Sequence, residues 1–122
     1  MKSNVSRTDR LNAELQREIY EIISKKLKNP FITEMFSVLS VDASKDLKHA
    51  KVFISVYSTN AERKERTYLA IKEEAKRIRY ELSKSMRIRT VPELSFVLDE
   101  SMEYGDKIDK LFIKLNGEKT SD

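Results

Sequence analysis

The chain has 122 residues and a mass of 14.3 kDa, the size of one domain and enough to bury a core without covalent staples. With no cysteine, one histidine and two glycines, it excludes disulfides, thiolate metal sites, multi-histidine metal centres and glycine-rich phosphate loops. The net charge of +4 is unevenly spread: twenty basic and twelve acidic side chains lie before Thr90, four and eight from there on. A polyanion would be drawn to the first part and repelled by the second, unless the charges only solvate the surface. No apolar run approaches the about 18 residues of a membrane span, and no hydrophobic signal region follows Met1. Neither a span nor export is expected, and a cysteine-free chain suits a reducing cytoplasm.

Leu11, Leu15, Ile19, Ile22, Ile23 and Leu27 recur at steps of three and four and predict an amphipathic first helix. Ser6-Arg7-Thr8-Asp9 fits a capping box at its start, and Asn29-Pro30 is expected to end it, because the residue before proline is pushed out of the α region. Phe36–Ser44 reads as a strand with Leu39, Val41 and Ala43 on one face. His49–Tyr57 follows as a second strand, with Ala50, Val52, Ile54 and Val56 alternating against Lys51, Phe53, Ser55 and Tyr57. Lys45–Lys48 is short enough to make the pair an antiparallel hairpin.

Ser58-Thr59-Asn60 offers N-cap chemistry for a long helical stretch to about Met86, with Ile71, Ala75, Ile78 and Leu82 as its buried stripe. Val91-Pro92 stops it, Leu94, Phe96 and Leu98 mark a third strand, and Ile108, Leu111, Phe112 and Leu115 predict a closing helix. Residues 116–122 read as a short flexible tail. The order α-β-β-α-β-α is that of an α+β domain, with helices on one face of a three-stranded sheet.

Two stretches of this sequence resemble the bacterial ribosome-binding factor A family. One is Asp42–Ser55, which contains the hairpin pattern S-x-D-L-x-x-A-x-V. The other is Ile78-Arg79 followed by Met86–Phe96 and then Asp99-Glu100-Ser101. The resemblance covers residues 5–115 and implies a type II KH-like domain, helix–strand–strand–helix–kink–helix–strand. It places the family's A-x-G kink on Ala75-Lys76-Arg77, where Arg77 stands in place of glycine. Either the kink is milder here, or Arg77 is bent and its guanidinium gains a phosphate partner; arginine's aversion to positive φ favours the first. The family likeness further implies a monomeric cytoplasmic factor without cofactors or chemistry. It would bind the free or immature 30S subunit, contact 16S rRNA near the decoding region and aid maturation of the RNA 5′ end.

The first candidate for RNA binding is the basic group Lys72, Lys76, Arg77, Arg79, Lys84, Arg87 and Arg89. Helical spacing puts Lys72, Lys76 and Arg79 near one side, and arginine can grip phosphate with a bidentate fork. The competing reading pairs these cations with Glu73, Glu74 and Glu81 on a solvated face. A second candidate is the first helix and what precedes it, with Lys2, Arg7, Arg10, Arg17, Lys25, Lys26 and Lys28; Arg10 and Arg17 share its outward face, competing with pairing to Glu14, Glu18 and Glu21. Lys25, Lys26 and Lys28 also suit a helix C-terminus electrostatically, which alone would explain them.

His49 reads as a surface strand residue rather than a catalytic one. Asp99, Glu100, Glu103, Asp106 and Asp109 could hold a metal for RNA hydrolysis, but no spacing fixes a geometry and such runs commonly cap and solvate a helix. Tyr57, Phe53 and Tyr68 are explained first by packing, so shape and phosphate recognition is favoured over base readout. A KH-type module for other RNAs is the alternative of a different class.

Overall fold

Leu15, Ile19, Ile22, Ile23 and Leu27, the first apolar stripe, are all buried in the computed structural model, which describes residues 7–100. They come from α1 (Arg7–Glu21) and a π-helical turn (Ile22–Lys26) that continues it. The helix does not reach Asn29-Pro30 as expected. Leu27 is already extended, at φ −82° and ψ 135°, and its N–H bonds the Ile22 carbonyl five residues back at 3.1 Å. This wider turn accommodates the adjacent Ile22 and Ile23 and still returns Leu27 to the core. The Ser6 cap, the closing helix over Ile108–Leu115 and the tail 116–122 lie outside the described residues.

β1 (Met35–Ala43) and β2 (His49–Tyr57) form the expected antiparallel hairpin, and β3 (Glu93–Leu98) runs parallel to β2, giving the sheet order β1-β2-β3. One correction concerns β1. Val38 pairs with Ile54 and Ser40 with Phe53, so Leu39 is the extra residue of a bulge. Val38 therefore takes the buried place before Val41 and Ala43, while Leu39 is only half-buried. On β2, Ala50, Val52, Ile54 and Val56 are buried as the alternation predicts. Ser55 is wholly buried too, and its hydroxyl finds no hydrogen-bond partner among the described residues.

The long helical stretch is two helices, α2 (Ala61–Glu73) and α3 (Ala75–Ser85). Asn60 caps α2, its side-chain oxygen accepting the Arg63 N–H at 2.9 Å. The break falls on Glu74, at φ −89° and ψ 12°, rather than on Ala75-Lys76-Arg77. Arg77 lies within α3, and among described non-glycine residues only Leu47 has positive φ. The arginine is thus not bent as the alternative reading had it.

Asn29 explains the position of the break: its amide donates to Glu74 Oε2 at 2.9 Å, fixing the loop after the π-helical turn to the α2–α3 junction. Ile71, Ile78, Leu82 and Met86 then join the buried residues of α1 and of all three strands in one core. Burying one such side chain contributes about 1.5–3 kcal/mol. The helices therefore share one face of the sheet, and α3 presents its other side outward.

Candidate nucleic-acid interface

The break at Glu74 re-sorts the basic group. Lys72 stays on α2, its Nζ 5.9 Å from the centre of the Tyr68 ring. Lys76 and Arg79, on α3, face the chain entering β3 and line a groove of about 780 Å³ with Arg89. Tyr80, Ser83 and Thr90 also line it, above Ala75, Ile88, Val91 and Leu94. Arg79 is committed to the fold: its Nε donates to the Val91 carbonyl at 3.0 Å and ties α3 to the approach to β3. Lys76, Arg87 and Arg89 are exposed and make no ion pair among the described residues. Three donors of the groove's rim and exit are therefore free to meet an anion.

A second gathering lies along α3 around Glu81, whose side chain is only 9% exposed. Lys26 Nζ reaches its Oε1 at 3.6 Å, Arg77 Nε its Oε2 at 3.6 Å and Lys84 Nζ its Oε1 at 3.9 Å. The expected pairing with Glu81 is thus found for Arg77 and Lys84, but Glu81 is buried rather than solvated, and Lys26 of α1's continuation reaches it as well. Lys26 comes from the π-helical turn, so the fold brings a residue of the second candidate group to the first. Lys25 behaves differently: it pairs with Glu21 at 2.8 Å, and that hydrogen bond and charge raise its pKa above the ordinary 10.5. Lys84 also lies 5.0 Å from the centre of the exposed Tyr80 ring, within cation–π reach.

Arg10 and Arg17 are exposed on α1 without ion-pair partners among the described residues. Arg17 borders a separate shallow pocket with Gln16, Tyr20 and Ser37 beside β1, so the structure does not merge these arginines with the α3 group. His49 is an exposed strand residue, as the sequence suggests, with Nδ1 3.4 Å from Glu93 Oε1. Tyr68 donates its hydroxyl to the Phe96 carbonyl at 3.0 Å, and Tyr57 shares a 2.8 Å bond with Ser37, so both serve packing. Among the described residues no three histidine or carboxylate side chains are grouped to hold a metal; Glu103, Asp106 and Asp109 lie outside them. Tyr80 was not singled out by sequence reasoning, and Lys26 was grouped with α1 rather than with the α3 cations. The aromatic-cation step from Tyr80 to Lys84 was the available signal for Tyr80, whereas nothing in the spacing tied Lys26 to Glu81.

The fold agrees with the comparisons. The profile of the ribosome-binding factor A family matches residues 7–112. The chain belongs to the ribosome-binding factor A family. Ribosome-binding factor A of Caldanaerobacter subterraneus subsp. tengcongensis is 37% identical over 122 residues, covering 100% of this chain and 99% of that one. Its counterpart in Caldicellulosiruptor saccharolyticus is 42% identical over 111 residues, covering 90% and 82%. Among solved structures, a putative ribosome-binding factor A of Thermotoga maritima superposes with a TM-score of 0.63 at 27% identity, covering 86% of this chain and 98% of that one. A homology model of the Thermus thermophilus factor, fitted into a cryo-electron-microscopy map of its complex with 30S, gives a TM-score of 0.60 at 24% identity, covering 75% and 93%. The KH-like fold expected of ribosome-binding factor A is the fold found here.

Proposed function

We propose that this chain is an assembly and maturation factor of the small ribosomal subunit, binding 16S rRNA in subunit precursors and assisting maturation of the RNA 5′ end. Family membership across residues 7–112 carries the reading, and the 30S complex of the Thermus thermophilus factor supports it. The exposed cations along α3 supply a fitting means of attachment, since folded RNA displays dense rows of phosphates. The factor works as a cytoplasmic monomer that carries out no chemistry. A protein that binds one rRNA arrangement more tightly than another shifts the balance by that difference in affinity. Release follows when a later rearrangement removes the preferred surface.

Co-sedimentation with purified small subunits over a series of KCl concentrations tests this. Binding should weaken steeply with salt, log affinity falling by about 0.7–0.9 per phosphate contact for each unit of log salt. The double substitution Arg87→Gln/Arg89→Gln should weaken binding while leaving the thermal midpoint near wild type, because neither side chain is engaged in the fold. Arg79 is unsuitable here, since its bond to Val91 makes loss of folding and loss of binding hard to separate. A wild-type chain that ignores small subunits and their precursors in dilute salt refutes the function.

A further inference from the structure

Lys26, Arg77 and Lys84 converge on one buried carboxylate, and they do so from two separate segments of the chain. The contacts are loose, at 3.6–3.9 Å, and each cation's side chain remains half-exposed, at 50–55%. An ammonium carries three N–H donors and a guanidinium five, so one carboxylate cannot occupy them all. With one negative and three positive groups the cluster keeps a net charge of +2, directed outward because the negative member is the buried one.

Glu81 also removes two obstacles to anion binding. Three bare cations this close would repel one another and disperse; the carboxylate between them offsets that repulsion. It also restricts long, flexible side chains before any ligand arrives, lowering the entropy lost on binding. The π-helical turn adds a tertiary constraint: it delivers Lys26 to Glu81 while keeping Ile22, Ile23 and Leu27 in the core. Single π turns within helices are frequent at functional sites.

We infer that Lys26, Arg77 and Lys84 form one phosphate-binding site, with Glu81 as its positioning residue and a phosphodiester of folded RNA as its ligand. This rests on the RNA-binding reading above. A carboxylate that only neutralised its neighbours would oppose RNA binding, whereas one that positions them promotes it. The two roles therefore predict opposite signs for Glu81→Gln, which keeps the side chain's shape and removes one negative charge, raising the net charge by one.

The experiment measures affinity for purified small subunits across a KCl series, together with thermal midpoints, for wild type, Glu81→Gln, Lys26→Gln and Lys25→Gln. Glu81→Gln is expected to bind about tenfold more weakly despite the more positive net charge. Unchanged or tighter binding overturns the site. Lys26→Gln and Lys25→Gln remove the same charge one residue apart, but Lys25 is held by Glu21. Lys26→Gln should lose about tenfold in affinity and flatten the salt slope by about 0.7–0.9, with Lys25→Gln close to wild type. Equal effects of the two lysines mean diffuse electrostatics and overturn the site, even if Glu81→Gln does not fold. Wild type binding with these contrary variant results sinks the site alone; wild type failing to bind sinks the functional reading and the site together.

Discussion

Ser44 and Asp46 show how a short spelling fixes a local shape. The Asp46 carboxylate accepts the Ser44 hydroxyl at 2.7 Å and the Lys48 N–H at 3.0 Å, while Ser44 Oγ accepts the His49 N–H at 3.2 Å. These bonds hold Leu47 at φ 60°, a conformation that costs a non-glycine residue about 1–2 kcal/mol. Leu47 recovers part of that by packing against the core. The S-x-D-L pattern therefore has a turn-forming role in this hairpin. First the Ser44 hydroxyl and then the Lys48 N–H lower the Asp46 pKa below its ordinary 3.8. A lowered folded pKa means the charged form favours folding. That contribution is complete above the unfolded value and fades as pH falls through the lower folded one. Ser44→Ala should thus raise the Asp46 titration midpoint in carboxyl-carbon NMR, and its stability deficit should shrink at acid pH as Asp46 protonates. An Asp46 that titrates at its ordinary value in both proteins contradicts this account of the turn.

At the scale of elements, α1 supplies what the edge strand β1 lacks. The bulge at Leu39 interrupts the ladder, and Gln16 Nε2 donates to the carbonyls of Val38 at 2.8 Å and Leu39 at 3.1 Å. Asn12 accepts the Ala43 N–H at 3.0 Å further along the same strand. Gln16→Met preserves the apolar stem but removes both donors, and should lower stability by about 1–3 kcal/mol in urea unfolding. An unchanged midpoint would show that solvent satisfies those carbonyls equally well. The elements themselves were legible in the sequence because apolar residues repeat with period 2 in the hairpin and β3, and near 3.6 in α1 and along α2–α3. The irregularities were less so: the family resemblance placed a kink one residue away, on Ala75-Lys76-Arg77, and periodicity showed neither the bulge nor the π-helical turn. The bulge, the π-helical turn and the break at Glu74 depend on partners distant in sequence, and Asn29 reaches Glu74 across 45 positions. The candidate site was legible in part for the same reason. Spacing along α3 grouped its cations and proposed Glu81 as an i,i+4 partner, but only packing shows that Glu81 is buried and that Lys26 completes its surroundings.

For the whole molecule, the cations on and around α3 divide between two flanks. One carries Lys26, Arg77 and Lys84 around Glu81; the other opens with Lys76 and Arg89 onto the groove beside β3. The core beneath α3 fixes both flanks to one body, so an RNA surface meeting them must present phosphates at two places rather than one. Under the proposed function, such an arrangement would read the spacing of phosphates, which belongs to the folded shape of an RNA and not to its base sequence. It also makes a quantitative demand on a double variant. If Lys26 and Arg89 hold different phosphates, Lys26→Gln and Arg89→Gln act independently and their losses in log affinity for small subunits should add. The fall in the salt slope should add as well, to about 1.4–1.8 for the pair against about 0.7–0.9 for either alone. A double variant no weaker than the worse single one would mean that both cations serve a single contact, and the two-flank description would have to be abandoned. Thermal midpoints should stay close to wild type for Arg89→Gln, since Arg89 makes no ion pair among the described residues. Adding losses at constant stability would establish α3 as a two-point gauge of RNA shape.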